Sequence, residues 1–193
     1  MSYNENKIKL KCFLQQILFI ACCANFMSYI ASNIYIVVTH SPPVNWSIVG
    51  RWIYYIFANG CLVNPPINTL QQIQHEALIG LASNYVISGI FALFYIITID
   101  YIFKSKYTLS NGIFIGVLLS VFPFSIELPA LGAGILGHMS PIQHTIGSIF
   151  GNVNGGETTL PPSIIVRVFL VHSFFGLGLG IGGILFNFMS KKY

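Results

Sequence analysis

Four runs of about twenty or more mostly apolar residues limit what this chain can fold into. They cover residues 13–38, 77–99, 112–131 and 164–188. About 20 apolar residues in a helix cross the hydrocarbon core of a bilayer. Because backbone polar groups must be paired internally in lipid, each run is predicted to be an α-helix. The predicted fold is therefore all-α, an integral membrane four-helix bundle that forms a single domain over residues 1–193.

The scarcity of charge supports a lipid environment over an aqueous one. Charged residues make up 7% of the chain, against about 25% for an ordinary globular domain. Hydrophobic residues make up 54%, which leaves too little charge to cover a water-soluble surface. The lipid bilayer is thus the expected partner, and no basic patch with interleaved aromatics suggests a nucleic acid.

The positions of the lysines predict how the spans are oriented. All seven lysines lie before the first span, in the link after the second span, or after the fourth span: Lys7, Lys9, Lys11, Lys104, Lys106, Lys191 and Lys192. The two arginines, Arg51 and Arg167, fall on the other side of this arrangement. Cytoplasmic loops carry the excess of Lys and Arg, so both termini are predicted to be cytoplasmic.

An aromatic segment, NWSIVGRWIYYIFANG at residues 45–60, follows the first span. Trp and Tyr favour the headgroup level of a membrane, and the segment is too short to cross one comfortably. It is predicted to be an interfacial helix on the outer face. Arg51 would then reach either lipid headgroups or an acid in an outer loop.

Small residues recur along the spans at helical spacing. The glycines that we expect to mediate helix packing are Gly80 in the second span and Gly176, Gly178, Gly180 and Gly183 in the fourth. Small residues let helix backbones approach closely in lipid, which is the use we predict for them.

Glu127 is an acid within the predicted third span, and prolines flank it on both sides. Pro123 and Pro129 remove backbone donors, so the helix is predicted to be kinked or broken beside the carboxylate. The freed carbonyls and the acid could bind a cation or take part in a proton path. Alternatively, Glu127 pairs with Arg167 or His172 and only fixes the register of the helices.

Several of the other titratable groups are predicted to lie on the same outer side as Glu127. The candidate functional cluster consists of Glu127, Arg167, His172, Glu76, His75, His138 and Arg51. Histidine and carboxylate side chains also suit zinc or iron, although their spacing matches no metal motif.

Several short motifs, in this order, resemble a known family of membrane proteins. They are VGRW at residues 49–52, Glu76 ahead of IGLASNY, PALGAG at residues 129–134 and HSFFGLGL at residues 172–179. The chain resembles, from about residue 45 onward, the bacterial proteins grouped as domain of unknown function 2938. The resemblance implies a small four-helix protein of the bacterial cytoplasmic membrane, and it implies no activity.

Three functional hypotheses follow from the sequence. The first is transport of a small solute, ion or proton through the outer-leaflet cluster, for which a homo-oligomer is the expected form. The second is a structural or assembly partner in the membrane, and the third is a membrane enzyme with an outward metal site. No cofactor is expected, and a function other than catalysis is favoured.

Overall fold

The computed structural model describes residues 3–59, 70–125 and 162–190, and this part of the chain is helical. Its α-helices are α1 (Tyr3–Thr39), α2 (Trp46–Asn59), α3 (Glu76–Ile97), α4 (Leu109–Ser125) and α5 (Pro162–Ser190). Within these ranges there is no strand. The prediction of an all-α chain is confirmed for the described residues.

Three stretches of helix are long and apolar enough to cross a membrane. They are Leu10–Thr39, Glu76–Ile102 and Ile165–Ser190. The apolar part of α4, Leu109–Ser120, is shorter. The predicted third span continues to residue 131, beyond the described part of α4, so a fourth crossing remains a prediction.

The long helices carry large apolar side chains on their exposed faces. Examples are Phe26 on α1, Ile90 on α3 and Phe188 on α5, all more than half exposed. A helix that is apolar around its whole circumference needs an apolar environment on every side. Together with their lengths, this indicates a membrane protein.

Local sequence explains several of the helix ends. His40, which follows α1, has a left-handed φ of 53°, and Pro42 and Pro43 come next, so the helix cannot continue. Asn45 caps α2, since its Oδ1 accepts a hydrogen bond from the Ile48 amide at 3.3 Å. Thr108 caps α4 in the same manner, accepting from the Asn111 amide at 3.1 Å.

Helix α3 ends in a π-helical turn over Thr98–Ile102. The Phe103 amide donates to the Thr98 carbonyl at 2.8 Å, which is the wider i→i+5 pattern. Lys104 then adopts a left-handed φ of 46° and ends the helix.

The helices contribute to two compact units. The described residues of unit 1 are 3–30, 85–118 and 172–190. Those of unit 2 are 31–59, 70–84, 119–125 and 162–171. Unit 1 has an apolar interior that includes Ile20, Ala92, Ile96, Ile99, Ile115 and Leu179.

Backbone-to-backbone crossings hold the helices of unit 1 together. A Cβ added to Gly176 of α5 would collide with the Gly112 carbonyl oxygen and the Gly116 Cα of α4. A Cβ on Gly178 would collide with Ala24 on α1. Because only glycine permits this approach, these positions bring the helices into contact along their backbones.

Candidate functional site

An ion pair between α2 and α3 lies in unit 2. The Arg51 Nε donates to Glu76 Oε2 at 2.7 Å, and Nη2 donates to Oε1 at 2.8 Å. The Arg51 Nη1 also donates to the Leu70 carbonyl at 3.4 Å. The side chains are only 8% and 13% exposed. This two-bond geometry is the strongest form of an arginine–carboxylate contact.

The close approach of α2 and α3 explains why the two charges meet. A Cβ on Gly50 would collide with the Glu76 carbonyl, and one on Gly80 would collide with the Trp46 carbonyl. Gly50 directly precedes Arg51 in sequence. The close contact of the two helices at Gly50 therefore places the Arg51 guanidinium beside Glu76, the first residue of α3. The Tyr55 hydroxyl adds a hydrogen bond to the Gln71 carbonyl at 3.1 Å.

The hydrogen bonds from Glu76 keep Arg51 in its charged form. They raise the pKa of the Arg51 guanidinium above its ordinary value, although partial burial acts in the opposite direction. Arg51 therefore has an acid in the protein as its partner, which is one of the two alternatives that the sequence left open.

Arg167, near the beginning of α5, is the second arginine of unit 2, and it is 1% exposed. Its Nη1 donates to the Pro42 carbonyl at 2.7 Å, and its Nη2 lies 3.5 Å from the Ser32 Oγ. The guanidinium carbon is 5.8 Å from the centre of the Tyr35 ring, within the range of a cation–π contact. A backbone carbonyl, a hydroxyl and an aromatic face are thus among the groups that contact this charge.

Tyr35 links this environment to the start of α5. Its hydroxyl donates to the Ser163 carbonyl at 2.7 Å. Hydrogen bonds from Tyr35 and Arg167 to backbone oxygens thus join α1 and the segment after it to the beginning of α5. This arrangement fixes the position of the charge within unit 2.

The remaining members of the predicted cluster are distributed differently. His75 is exposed, with a left-handed φ of 60°, and its carbonyl accepts from the Ile79 amide at 3.0 Å. His172 belongs to unit 1 and is half-buried on α5. Glu127 and His138 lie outside the described residues.

The predicted helix kink also lies partly outside the described chain. Pro123 is within α4, which is helical as far as Ser125. Pro129 is beyond the described residues. The prediction of a break around Glu127 therefore stays a prediction.

The described residues give the metal-site hypothesis no support. No three His, Cys, Asp or Glu side chains among them come together as a group that could hold a metal ion. His75 and Glu76 are adjacent, but Glu76 is engaged by Arg51 and His75 is exposed.

Sequence reasoning missed the neighbours of Arg167 and a polar group in unit 1. The search for a partner of Arg167 considered acids and histidines, whereas the Pro42 carbonyl is a backbone group that composition does not reveal. In unit 1, Tyr107 donates to Asp100 Oδ2 at 2.6 Å and accepts from Gln16 Nε2 at 3.0 Å. The sequence signal that could have found this polar group was Asp100, an acid that lies between the second apolar run and Lys104.

The chain matches a family model described as "Protein of unknown function (DUF2938)". The match extends over residues 18–186. It includes Arg51, Glu76 and Arg167, together with the glycines at the helix crossings. Comparison with curated proteins and comparison with solved structures both find no match.

Proposed function

We propose that this chain, which belongs to the DUF2938 family, carries a small solute, an ion or a proton across a membrane. The proposed protein has four spans in the bacterial cytoplasmic membrane, with both termini in the cytoplasm. The site of passage would be the outer-leaflet cluster, with Arg167 and Glu127 as its central charges.

The burial of Arg167 is the observation that carries this proposal. The side chain is 1% exposed and lies in an apolar helix. A guanidinium stays protonated in proteins, so it cannot escape burial by losing its charge. Charged groups within spans are costly and usually mark a substrate or ion pathway.

The positions of the two arginines suit different roles. Arg51 and Glu76 lie outside the predicted spans and are joined by two hydrogen bonds, whereas Arg167 is buried inside the predicted fourth span. We therefore assign Arg51 and Glu76 to the structure of the protein, and Arg167 to its function.

Glu127 is proposed as the acid that works with Arg167. It is the only acid within the predicted spans, since Glu5, Glu76, Asp100 and Glu157 all lie outside or at the edge of them. Its carboxylate would take up and release the transported proton or bind the transported cation.

Replacing Glu127 with Gln is expected to abolish proton flux, because the amide cannot take up and release a proton. The measurement is acidification of proteoliposomes that enclose a pH-sensitive dye, under an imposed membrane potential. Flux in E127Q should fall to the level of protein-free vesicles. The matched control is E5Q, the same change outside the predicted spans, which should leave flux unchanged.

A folded E127Q protein with wild-type flux would overturn this assignment. Wild-type vesicles that conduct no better than protein-free vesicles would also count against proton transport.

A structural or assembly role is the second candidate, and the glycine crossings favour it. Gly176 on α5 meets Gly112 and Gly116 on α4, and Gly50 on α2 meets the start of α3. Such contacts are typical of tightly packed helices. For this role, Glu127 would only pair with Arg167, and neither the wild type nor E127Q would show proton flux.

A further inference from the structure

Two buried hydroxyl groups at the end of α3 have no hydrogen-bond partner among the residues that the structure describes. They are the Tyr95 hydroxyl and the Thr98 Oγ1. Tyr95 is 0% exposed and Thr98 is 5% exposed. A buried hydroxyl without a partner is destabilising, so buried polar groups of this kind commonly hold ordered water.

The two hydroxyl groups belong to residues three apart at the end of α3. Residues at this spacing are neighbours on a helix surface, so the side chains of Tyr95 and Thr98 leave the helix on the same side. Thr98 is also the first residue of the π-helical turn over Thr98–Ile102.

A polar network borders this position. The rings of Tyr95 and Tyr107 have their centres 5.7 Å apart. Tyr107 donates to Asp100 and accepts from Gln16, and the Asp100 side chain is exposed. Burial of the Tyr107 hydroxyl and its hydrogen bond to Asp100 raise the pKa of Tyr107, which therefore stays neutral.

We propose that unit 1 contains an internal hydration site at the π-helical turn, in which a water molecule bridges the Tyr95 and Thr98 hydroxyls. Water is the ligand that these groups suit, since each hydroxyl can both donate and accept. The residues that follow them in sequence, Ile96 and Ile99, are apolar and fully buried. Asp100 and Tyr107 supply a polar connection from the exposed surface to the edge of the site.

This inference goes beyond the proposed transport site, whose central charges are Arg167 and Glu127, and it uses neither of those residues. Its test measures stability, so a failure to find proton flux would leave it standing.

A double-mutant cycle in nanodiscs tests the bridge. We expect that Y95F and T98V each lower the melting temperature by about 2–4 °C, since each removes one hydrogen bond to the water. The double variant should lose no more than either single variant, because the two hydroxyls share one ligand. The matched control is Y85F on the same helix, where the tyrosine is exposed, and it should melt as wild type does.

Melting temperatures that do not fall in the single variants would overturn the proposal. If the hydroxyls are dry, Y95F removes a destabilising group, and the melting temperature is unchanged or raised. Losses that add in the double variant would also contradict a single shared water.

A second measurement uses the wild-type chain, in case a variant does not fold. X-ray radiolysis converts bound water to hydroxyl radicals, which label the side chains next to that water. Tyr95 should be labelled despite its burial, whereas Phe175, a buried aromatic of the same unit, should not. Equal protection of both rings would contradict the hydration site.

Discussion

Replacing Gly176 with Ala is expected to prevent stable folding, although the change adds only one methyl group. The new Cβ would collide with the Gly112 carbonyl oxygen and the Gly116 Cα. Both are backbone atoms of α4, so no side-chain rotation can relieve the overlap. The crossing would have to open, and we expect a loss of about 3 kcal/mol or more.

The matched control is Gly89→Ala, which places the same substitution at a glycine in α3 with open space around it. No heavy atom lies within 4 Å of a Cβ built at Gly89. Alanine is the better helix former, by roughly 0.5–1 kcal/mol in a helix interior. We therefore expect G89A to be as stable as wild type or slightly more stable.

The measurement is the yield of monodisperse protein after purification, followed by its melting temperature in nanodiscs. Equal yields and equal melting temperatures for G176A and G89A would contradict the close backbone contact between α4 and α5.

Breaking the Arg51–Glu76 pair is expected to have the second large effect. Arg51→Met leaves the Glu76 carboxylate buried without its partner, for which the expected cost is about 3 kcal/mol. Arg51→Lys should fall between Met and the wild type. Lysine retains the charge but cannot make the two parallel hydrogen bonds that the guanidinium makes.

The charge-reversed double variant, R51E with E76R, serves as the control for this prediction. It restores opposite charges at the two positions, so it should recover part of the stability that either single reversal loses. Melting temperatures of the four proteins give the coupling between the residues. Additive losses, or a stable R51M variant, would show that the ion pair does not hold α2 against α3.

The helices of this chain could be predicted because their signals are local. The apolar runs of membrane length and the aromatic segment at residues 45–60 are both recognised from residues that are close in sequence. The family resemblance, which rested on VGRW and HSFFGLGL among other motifs, is confirmed by the match over residues 18–186.

The sequence offered an acid as one possible partner of Arg51, but it could not identify that acid or the partners of Arg167, because these depend on contacts between distant segments. Arg51 and Glu76 are 25 residues apart, and they meet because Gly50 and Gly80 let α2 and α3 approach. The sequence showed Gly80 within a stripe of small residues, but it gave no sign of Gly50 as its counterpart. Arg167 and Pro42 are 125 residues apart.

The π-helical turn was also missed, since its residues, TIDYI, have no distinctive composition. The second span was predicted to end at residue 99, whereas helical structure continues to Ile102. The turn matters because its first residue, Thr98, carries one of the two buried hydroxyl groups of the proposed hydration site in unit 1.

The most direct test of the proposed membrane map is the side on which the C-terminus lies. Green fluorescent protein fused after Tyr193 should fluoresce, and alkaline phosphatase fused there should be inactive, because the proposed terminus is cytoplasmic. Phosphatase fused after Asn154, in the predicted outer loop, should be active. An active phosphatase at Tyr193 would contradict four spans with cytoplasmic ends, and with it the outer-leaflet position assigned to Arg167 and Glu127.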